Sequence, residues 1–128
     1  MPRRRDQRRA AVVALYQADV TGAAPSELLG RDSTPFTREL VDGTIAERAE
    51  LDALIERYAS GWSLERIAPL ERNILRLALH ELRSRPDIPP EVAIDEAVEA
   101  AKELCSAEAP GFVNGILGAA QREEVGSR

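Results

Sequence analysis

Apolar residues recur at the spacing of an α-helix along most of the chain, and residues 69–83 show this pattern most strongly. Pro69 suits the first position of a helix, where a missing backbone N–H is tolerated. The apolar face of this segment is wide, which predicts a central and largely buried helix. No segment alternates apolar and polar residues with the period of two that marks a half-buried strand. The pattern therefore predicts an all-α fold, and the central helix would bury Leu70, Ile74, Leu77, Ala78 and Leu82, with Leu75 and Leu79 beside them.

Start and stop signals place further helices on both sides of this segment. A first helix is expected over about residues 4–20, and Thr21 followed by Gly22 ends it. Thr34 followed by Pro35 is typical of an N-cap and a first helical residue. Two helices that meet at a bend follow, and Gly61 is a stop signal after them. Two more amphipathic helices are expected beyond the proline-rich corner at residues 85–90.

These elements predict one domain over residues 1–128, built from two small helical bundles packed together, with about seven helices. We place an N-terminal subdomain at about residues 1–61 and a C-terminal subdomain at about residues 62–128. Trp62 and Leu64 lie in the connection, where they would suit an apolar plug between the two halves.

The charge of the chain is polarised between its first residues and the rest. Residues 1–9 hold five arginines and one aspartate, for a net charge of +4, whereas the other residues hold 12 basic and 21 acidic residues, for −9. An acidic body argues against binding nucleic acid over the whole surface, but a local basic patch can neutralise a few phosphates. The head therefore favours a small nucleic-acid footprint, and a solvated terminus with idle arginines is the alternative.

Nothing in the sequence predicts an active site, a cofactor or a metal site. Cys105 and His80 are the only cysteine and histidine, too few for a structural zinc site, and the carboxylates of Glu96, Glu99 and Glu103 have the spacing of a solvated helix face. No glycine-rich phosphate loop follows a strand. No apolar run approaches the ~18 residues that cross a bilayer, and no secretory signal is evident, so we expect a cytoplasmic protein without membrane contact.

Tyr16 and Gln17 lie two to three helical turns beyond the arginines and could extend the same surface. Single-stranded RNA is commonly bound by arginines that contact its backbone and by aromatic rings that stack on its bases. Tyr16 could instead pack in the core beside Leu15, and Phe112 presents the same choice. The residues alone leave both alternatives open.

Three blocks in the second half carry a resemblance to a known family. They are RNILRLALHEL at residues 72–82, VAIDEAVEAAK at residues 92–102 and FVNGIL at residues 112–117, with Ile88 and Pro89 between the first two. In this order and spacing they closely resemble the NusB family of bacterial transcription antitermination factors. The arginine-rich segment leading into residues 14–17, residues 36–43 and Trp62 match as well, so that the resemblance covers nearly the whole chain.

The resemblance implies an all-helical pair of bundles and an RNA-binding adaptor without catalysis. It implies that the protein pairs with NusE, a small-subunit ribosomal protein, and binds the boxA element of ribosomal RNA transcripts within an RNA polymerase antitermination complex. Glu71 matches a position at the NusE interface, and Glu108, as an acid near RNA, would tune or weaken binding. By position, the RNA surface would comprise Arg4, Arg5, Arg8, Tyr16, Gln17, Glu108, Phe112 and Asn114.

Two alternative hypotheses compete with that of an RNA-binding adaptor. A NusB-like bundle also forms the N-terminal domain of ribosomal RNA cytosine methyltransferases, but the residues after Leu117 are too few for a βαβ cofactor domain. The chain could also be a protein-interaction module or homodimer whose arginines are idle. A dimer that buried the first helix would mask the RNA surface.

Overall fold

A computed structural model describes residues 2–125 and confirms the all-α fold. Residues 2–125 contain seven α-helices and no strand, as well as a 3-10 turn at Leu64–Arg66 and a π-helical turn at Gln121–Val125. The helices are α1 (Arg4–Thr21), α2 (Pro25–Leu28), α3 (Pro35–Ala46), α4 (Arg48–Tyr58), α5 (Pro69–Ser84), α6 (Pro90–Leu104) and α7 (Ala109–Ala120).

The helix ends follow the signals read from the sequence. The Thr34 hydroxyl caps α3 by accepting a hydrogen bond of 3.2 Å from the Thr37 backbone N–H, and Pro35 occupies the first turn. Pro69 begins α5 in the same way. Gly22 ends α1 with a φ of 77°, a left-handed conformation that glycine adopts without steric penalty, and its N–H bonds the Ala18 carbonyl at 2.9 Å.

Helix α5 is the central element of the molecule, as its wide apolar face predicted. Every residue from Asn73 to Leu82 is buried, and Leu75 is completely enclosed. The helix packs against α1, α3 and α4 from the first half of the chain and against α6 and α7 from the second. Because α5 belongs to the core of both halves, the division into two subdomains remains a prediction.

The connection before α5 differs from the prediction of a buried plug. Trp62 is 51% exposed, and its ring meets the edge of Phe112 at a centroid distance of 6.1 Å. Ile67, which follows the 3-10 turn, is the buried apolar residue of this connection, and Leu64 is half-buried. The prediction for Trp62 is therefore wrong, since the turn brings Ile67 into the core and leaves the indole at the surface.

Helices α3 and α5 approach closely where Gly43 faces His80. A Cβ atom at Gly43 would overlap the imidazole ring. The ring is buried and hydrogen-bonded to the Glu47 carboxylate, which also accepts hydrogen bonds from the Ser84 hydroxyl. His80 is thus a packed and partnered structural residue, as the sequence indicated.

Candidate nucleic-acid interface

The arginines at the start of α1 lie on different faces of the helix, because successive residues turn by about 100°. Arg5 faces α6 and donates two hydrogen bonds to the Glu96 carboxylate, from Nε at 3.2 Å and from Nη2 at 3.1 Å. Arg9 lies one turn further on and donates from Nε to Glu103 at 2.8 Å. Both arginines are therefore paired with carboxylates of α6, while the Arg5 side chain remains 43% exposed.

Arg8 occupies a different environment from its neighbours. Its side chain is only 7% exposed and pairs with the buried Glu81 carboxylate at 2.8 Å from Nη2 and 2.9 Å from Nε. Burial raises the pKa of Glu81, against the hydrogen bond and charge of Arg8. The prediction that Arg8 contacts RNA is therefore corrected: its guanidinium is buried in an ion pair that joins α1 to α5.

Arg4 is exposed, and its guanidinium carbon lies 3.7 Å from the centroid of the Phe36 ring. Such a cation–π contact orients the guanidinium without neutralising its charge. Within residues 2–125 Arg4 forms no ion pair. It is thus a fixed positive charge that is accessible to an anion.

Tyr16 and Gln17 continue the surface along α1. Eleven residues separate Arg5 from Tyr16, which is about three turns, so both lie on one face about 16 Å apart along the helix axis. Tyr16 is half-buried and Gln17 is exposed. Tyr16 is thus neither fully packed in the core nor fully exposed, and neither alternative stated for it describes its environment completely.

The remaining predicted residues group around a cleft between the start of α5 and the start of α7. Glu71, Glu108 and Phe112 line this cleft together with Trp62, and its volume is about 270 Å³. Burial and the nearby charge of Glu108 raise the pKa of the Glu71 carboxyl. Arg66 lines the cleft as well, so two carboxylates face one arginine there. The excess of carboxylates and the two aromatic rings are suited to a further basic side chain. Asn114 is exposed two residues beyond Phe112.

The predicted site thus forms two groups rather than one. Among residues 2–125, no hydrogen bond, ion pair or ring contact joins Arg5 or Tyr16 to Glu108 or Phe112. The two groups keep their relative position through a polar network that sequence reasoning missed. It connects the end of α1 to α4 and α5 and comprises Asp19, Arg48, Asp52, Arg72, Asn73 and Arg76.

Asp19 is the centre of this network. Its carboxylate accepts hydrogen bonds from Arg72 at 3.0 Å and Asn73 at 2.9 Å, and Arg76 at 3.0 Å adds a third. Burial alone would raise the pKa of Asp19, but the hydrogen bonds from Asn73 and Arg72 and the charges of both arginines outweigh it and hold the pKa below its ordinary value. A charged Asp19 therefore holds the two ends of the candidate interface together.

The described part of the chain contains no candidate metal site and no candidate membrane-spanning helix. No cluster of three or more His, Cys, Asp or Glu side chains there could hold a metal ion. None of its helices has both the length and the apolar character that a membrane span needs.

The sequence of this chain is similar to one known family and to individual members of that family. A family model described as the NusB family matches residues 5–122. The transcription antitermination protein NusB of Acidothermus cellulolyticus is 41% identical over 132 residues, which covers 98% of this chain and 91% of that protein.

Two solved structures superimpose closely on the fold. NusB of T. maritima has a TM-score of 0.88 and 36% identity, covering 96% of this chain and 93% of its own. A structure described as the antitermination factors NusB and NusE in complex with dsRNA has a TM-score of 0.83 and 29% identity, covering 93% of this chain and 96% of the matched chain.

Proposed function

Because the chain belongs to the NusB family, we propose that it is an RNA-binding transcription antitermination factor that acts together with NusE. The RNA is a single-stranded, boxA-type segment of ribosomal RNA transcripts, bound within an RNA polymerase antitermination complex in the cytoplasm. The observation that carries the proposal is the cluster of solvent-accessible arginines at the start of α1 on an otherwise acidic molecule. The relative solved with NusE and dsRNA supports NusE and RNA as partners, and the single-stranded, boxA-type character of the RNA is part of our proposal.

Arg4 and Arg5 are the proposed contacts to the RNA backbone, because both reach solvent at the first turn of α1. The accessible part of Tyr16 would stack on a base, and the Gln17 amide would donate to or accept from a base edge. Arg8 supports this surface indirectly, since its ion pair with Glu81 holds α1 in position.

The cleft around Glu71 is the proposed NusE contact. Glu71 and Glu108 repel each other across it, so a basic side chain of the partner would relieve that repulsion while stacking against Trp62 or Phe112. Phe112 and Asn114 lie where RNA and partner could meet, and Glu108 would weaken RNA binding until the partner neutralises it. This arrangement explains how an acidic protein could bind RNA more tightly in the presence of NusE.

The family is one of transcription factors and not of enzymes, so the proposed activity is binding alone. A homodimer that covers α1 remains a prediction. Light scattering over a concentration series would detect it as a rising mass.

Fluorescence anisotropy of a labelled single-stranded boxA-like RNA tests the proposal. The comparison RNAs are a scrambled strand and a duplex of the same sequence, each with and without NusE and at several salt concentrations. Arg4→Ala/Arg5→Ala should weaken binding and reduce the slope of log K against log salt by about 1.4, because each lost phosphate contact removes about 0.7 for a single strand.

Arg57→Ala is the matched control, since Arg57 is an exposed arginine of α4 whose side chain pairs with Glu123. It should leave affinity and slope unchanged. Equal binding of the scrambled strand would contradict boxA selectivity, and preferential binding of the duplex would contradict single-stranded recognition.

A further inference from the structure

The ion pairs between α1 and α6 place carboxylates where RNA phosphates would bind. We propose that Glu96 and Glu103 act as internal phosphate mimics that limit the affinity for RNA, and that Arg9 becomes an RNA contact when Glu103 releases it. This inference rests on the proposed function. It adds one contact residue to the RNA surface and two carboxylates that lower RNA affinity, Glu96 and Glu103, which we call the brake.

The pair between Arg5 and Glu96 uses the edge of the guanidinium that recognises phosphate. Nε and Nη2 donate in parallel to the two carboxylate oxygens at 3.2 and 3.1 Å. Arginine binds carboxylate and phosphate with the same two-pronged geometry. A phosphate approaching this edge must therefore displace Glu96, because both donors are already occupied.

Arg9 is held by α6 in an incompletely satisfied position. Nε bonds Glu103 at 2.8 Å, and Nη1 reaches the Glu96 backbone carbonyl only at 3.4 Å. Its Nη2 is buried and has no hydrogen-bond partner among residues 2–125. A buried donor without an acceptor destabilises the conformation that buries it. The closed position of Arg9 is thus penalised, and a phosphate outside would offer the missing acceptors.

Exposure determines how strong this brake can be. Arg5 and Glu103 are 43% and 48% exposed, whereas Glu96 and Arg9 are 17% and 15% exposed, so solvent screens one end of each pair. Exposed ion pairs contribute so little that each would lower RNA affinity by roughly 1.4- to 5-fold. A brake of this size tunes binding and leaves it possible.

Helix α6 also supplies a matched control. Glu99 lies between the two brake residues in sequence. It pairs with Lys102 at 3.1 Å and, within residues 2–125, acts on Arg5 only through its charge, without an ion pair or hydrogen bond. Glu96→Gln, Glu103→Gln and Glu99→Gln each remove one negative charge from the same helix. A general change in net charge would therefore affect all three variants equally, whereas release of an arginine from a direct ion pair would affect the first two more strongly than Glu99→Gln.

The experiment measures affinity for boxA-like RNA and for oligouridylate by anisotropy at constant salt. Glu96→Gln and Glu103→Gln should each bind about 1.4- to 5-fold more tightly than Glu99→Gln, for either RNA. Arg9→Ala should weaken binding more in the Glu103→Gln background than in the unmodified protein. Circular dichroism at the same temperature shows that the variants remain folded.

The outcomes separate this inference from the proposed function. If the unmodified protein selects boxA-like RNA but all three glutamine variants bind equally, the brake is refuted and the function stands. If Glu96→Gln and Glu103→Gln bind both RNAs more tightly without selectivity, the brake holds and boxA recognition fails. Absence of RNA binding by every variant would overturn both.

Discussion

At the scale of single residues, position on the helix decides what each arginine of the head does. Arg4, Arg5 and Arg8 are equivalent in the sequence pattern, yet Arg4 stacks on Phe36, Arg5 meets a surface carboxylate and Arg8 is buried against Glu81. A buried charge requires its partner, because the free-energy cost of removing the charge from water is no longer offset when the partner is lost. Arg8 is therefore a structural residue, and its loss would affect RNA binding through the fold.

We expect Arg8→Ala to lower the free energy of unfolding by about 3 kcal/mol or more, because it leaves the Glu81 carboxylate buried without its cation. Arg5→Ala, which breaks a solvent-exposed pair, should lower the free energy of unfolding much less than Arg8→Ala. Urea denaturation followed by circular dichroism measures both. Similar losses in the free energy of unfolding for the two variants would show that Arg8 does not stabilise the fold more than Arg5 does.

The same variant carries a pH dependence whose sign follows from Glu81. Burial raises the pKa of this carboxyl in the folded state, so the folded state binds more protons than the unfolded state between the two pKa values. Stability is then lost as pH rises through that window. Removing Arg8 raises the folded pKa further, so the destabilisation should be larger at pH 8 than at pH 5.

At the scale of elements, close approach of two helices imposes a requirement that helix propensity alone does not reveal. Gly43 and Gly115 are both isolated glycines within helices, in α3 and α7. Gly43 lies against the His80 ring of α5, whereas a Cβ atom at Gly115 would meet nothing within 4 Å. Only the first glycine is required by packing.

Gly43→Ala should therefore destabilise the protein by about 1–3 kcal/mol, because the new methyl group overlaps a buried and hydrogen-bonded ring. Gly115→Ala should stabilise it by about 0.5–1 kcal/mol, the usual gain from replacing glycine within a helix. Thermal and urea denaturation of the two variants provide the comparison. Equal effects would mean that α3 can move away from His80.

At the scale of the whole molecule, α5 links the two halves that the sequence separates. It packs against α1, α3 and α4 on one side and α6 and α7 on the other, and Arg8 and Asp19 of α1 are both bound to it. A shared central helix favours a single cooperative unfolding transition. The halves should therefore not unfold independently.

Trp62 is the only tryptophan, and it lies in the connection between the halves beside Phe112. Its fluorescence and the far-ultraviolet circular dichroism should give coincident urea transitions. Separate midpoints would instead show that the two predicted subdomains unfold as independent units.

The sequence by itself determined the local features of this protein: the helical class, the cap at Thr34, the stop at Gly22 and the basic head of α1. These depend on contacts within about one helical turn, which spacing and residue type reveal directly. The motifs in the second half also sufficed to predict the family.

Only the tertiary structure decided which side chains of the candidate site are accessible. The partner of Arg8 lies 73 residues away and that of Arg9 lies 94 residues away, and Ile67 is buried where Trp62 was expected. The burial and pairing of these side chains depend on how the helices pack and on the register in which they meet. The apolar period of a single helix carries no information about either. The arginine run therefore indicated an anion-binding surface, but the packing of α1 on α5 and its ion pairs with α6 selected the arginines that can form it.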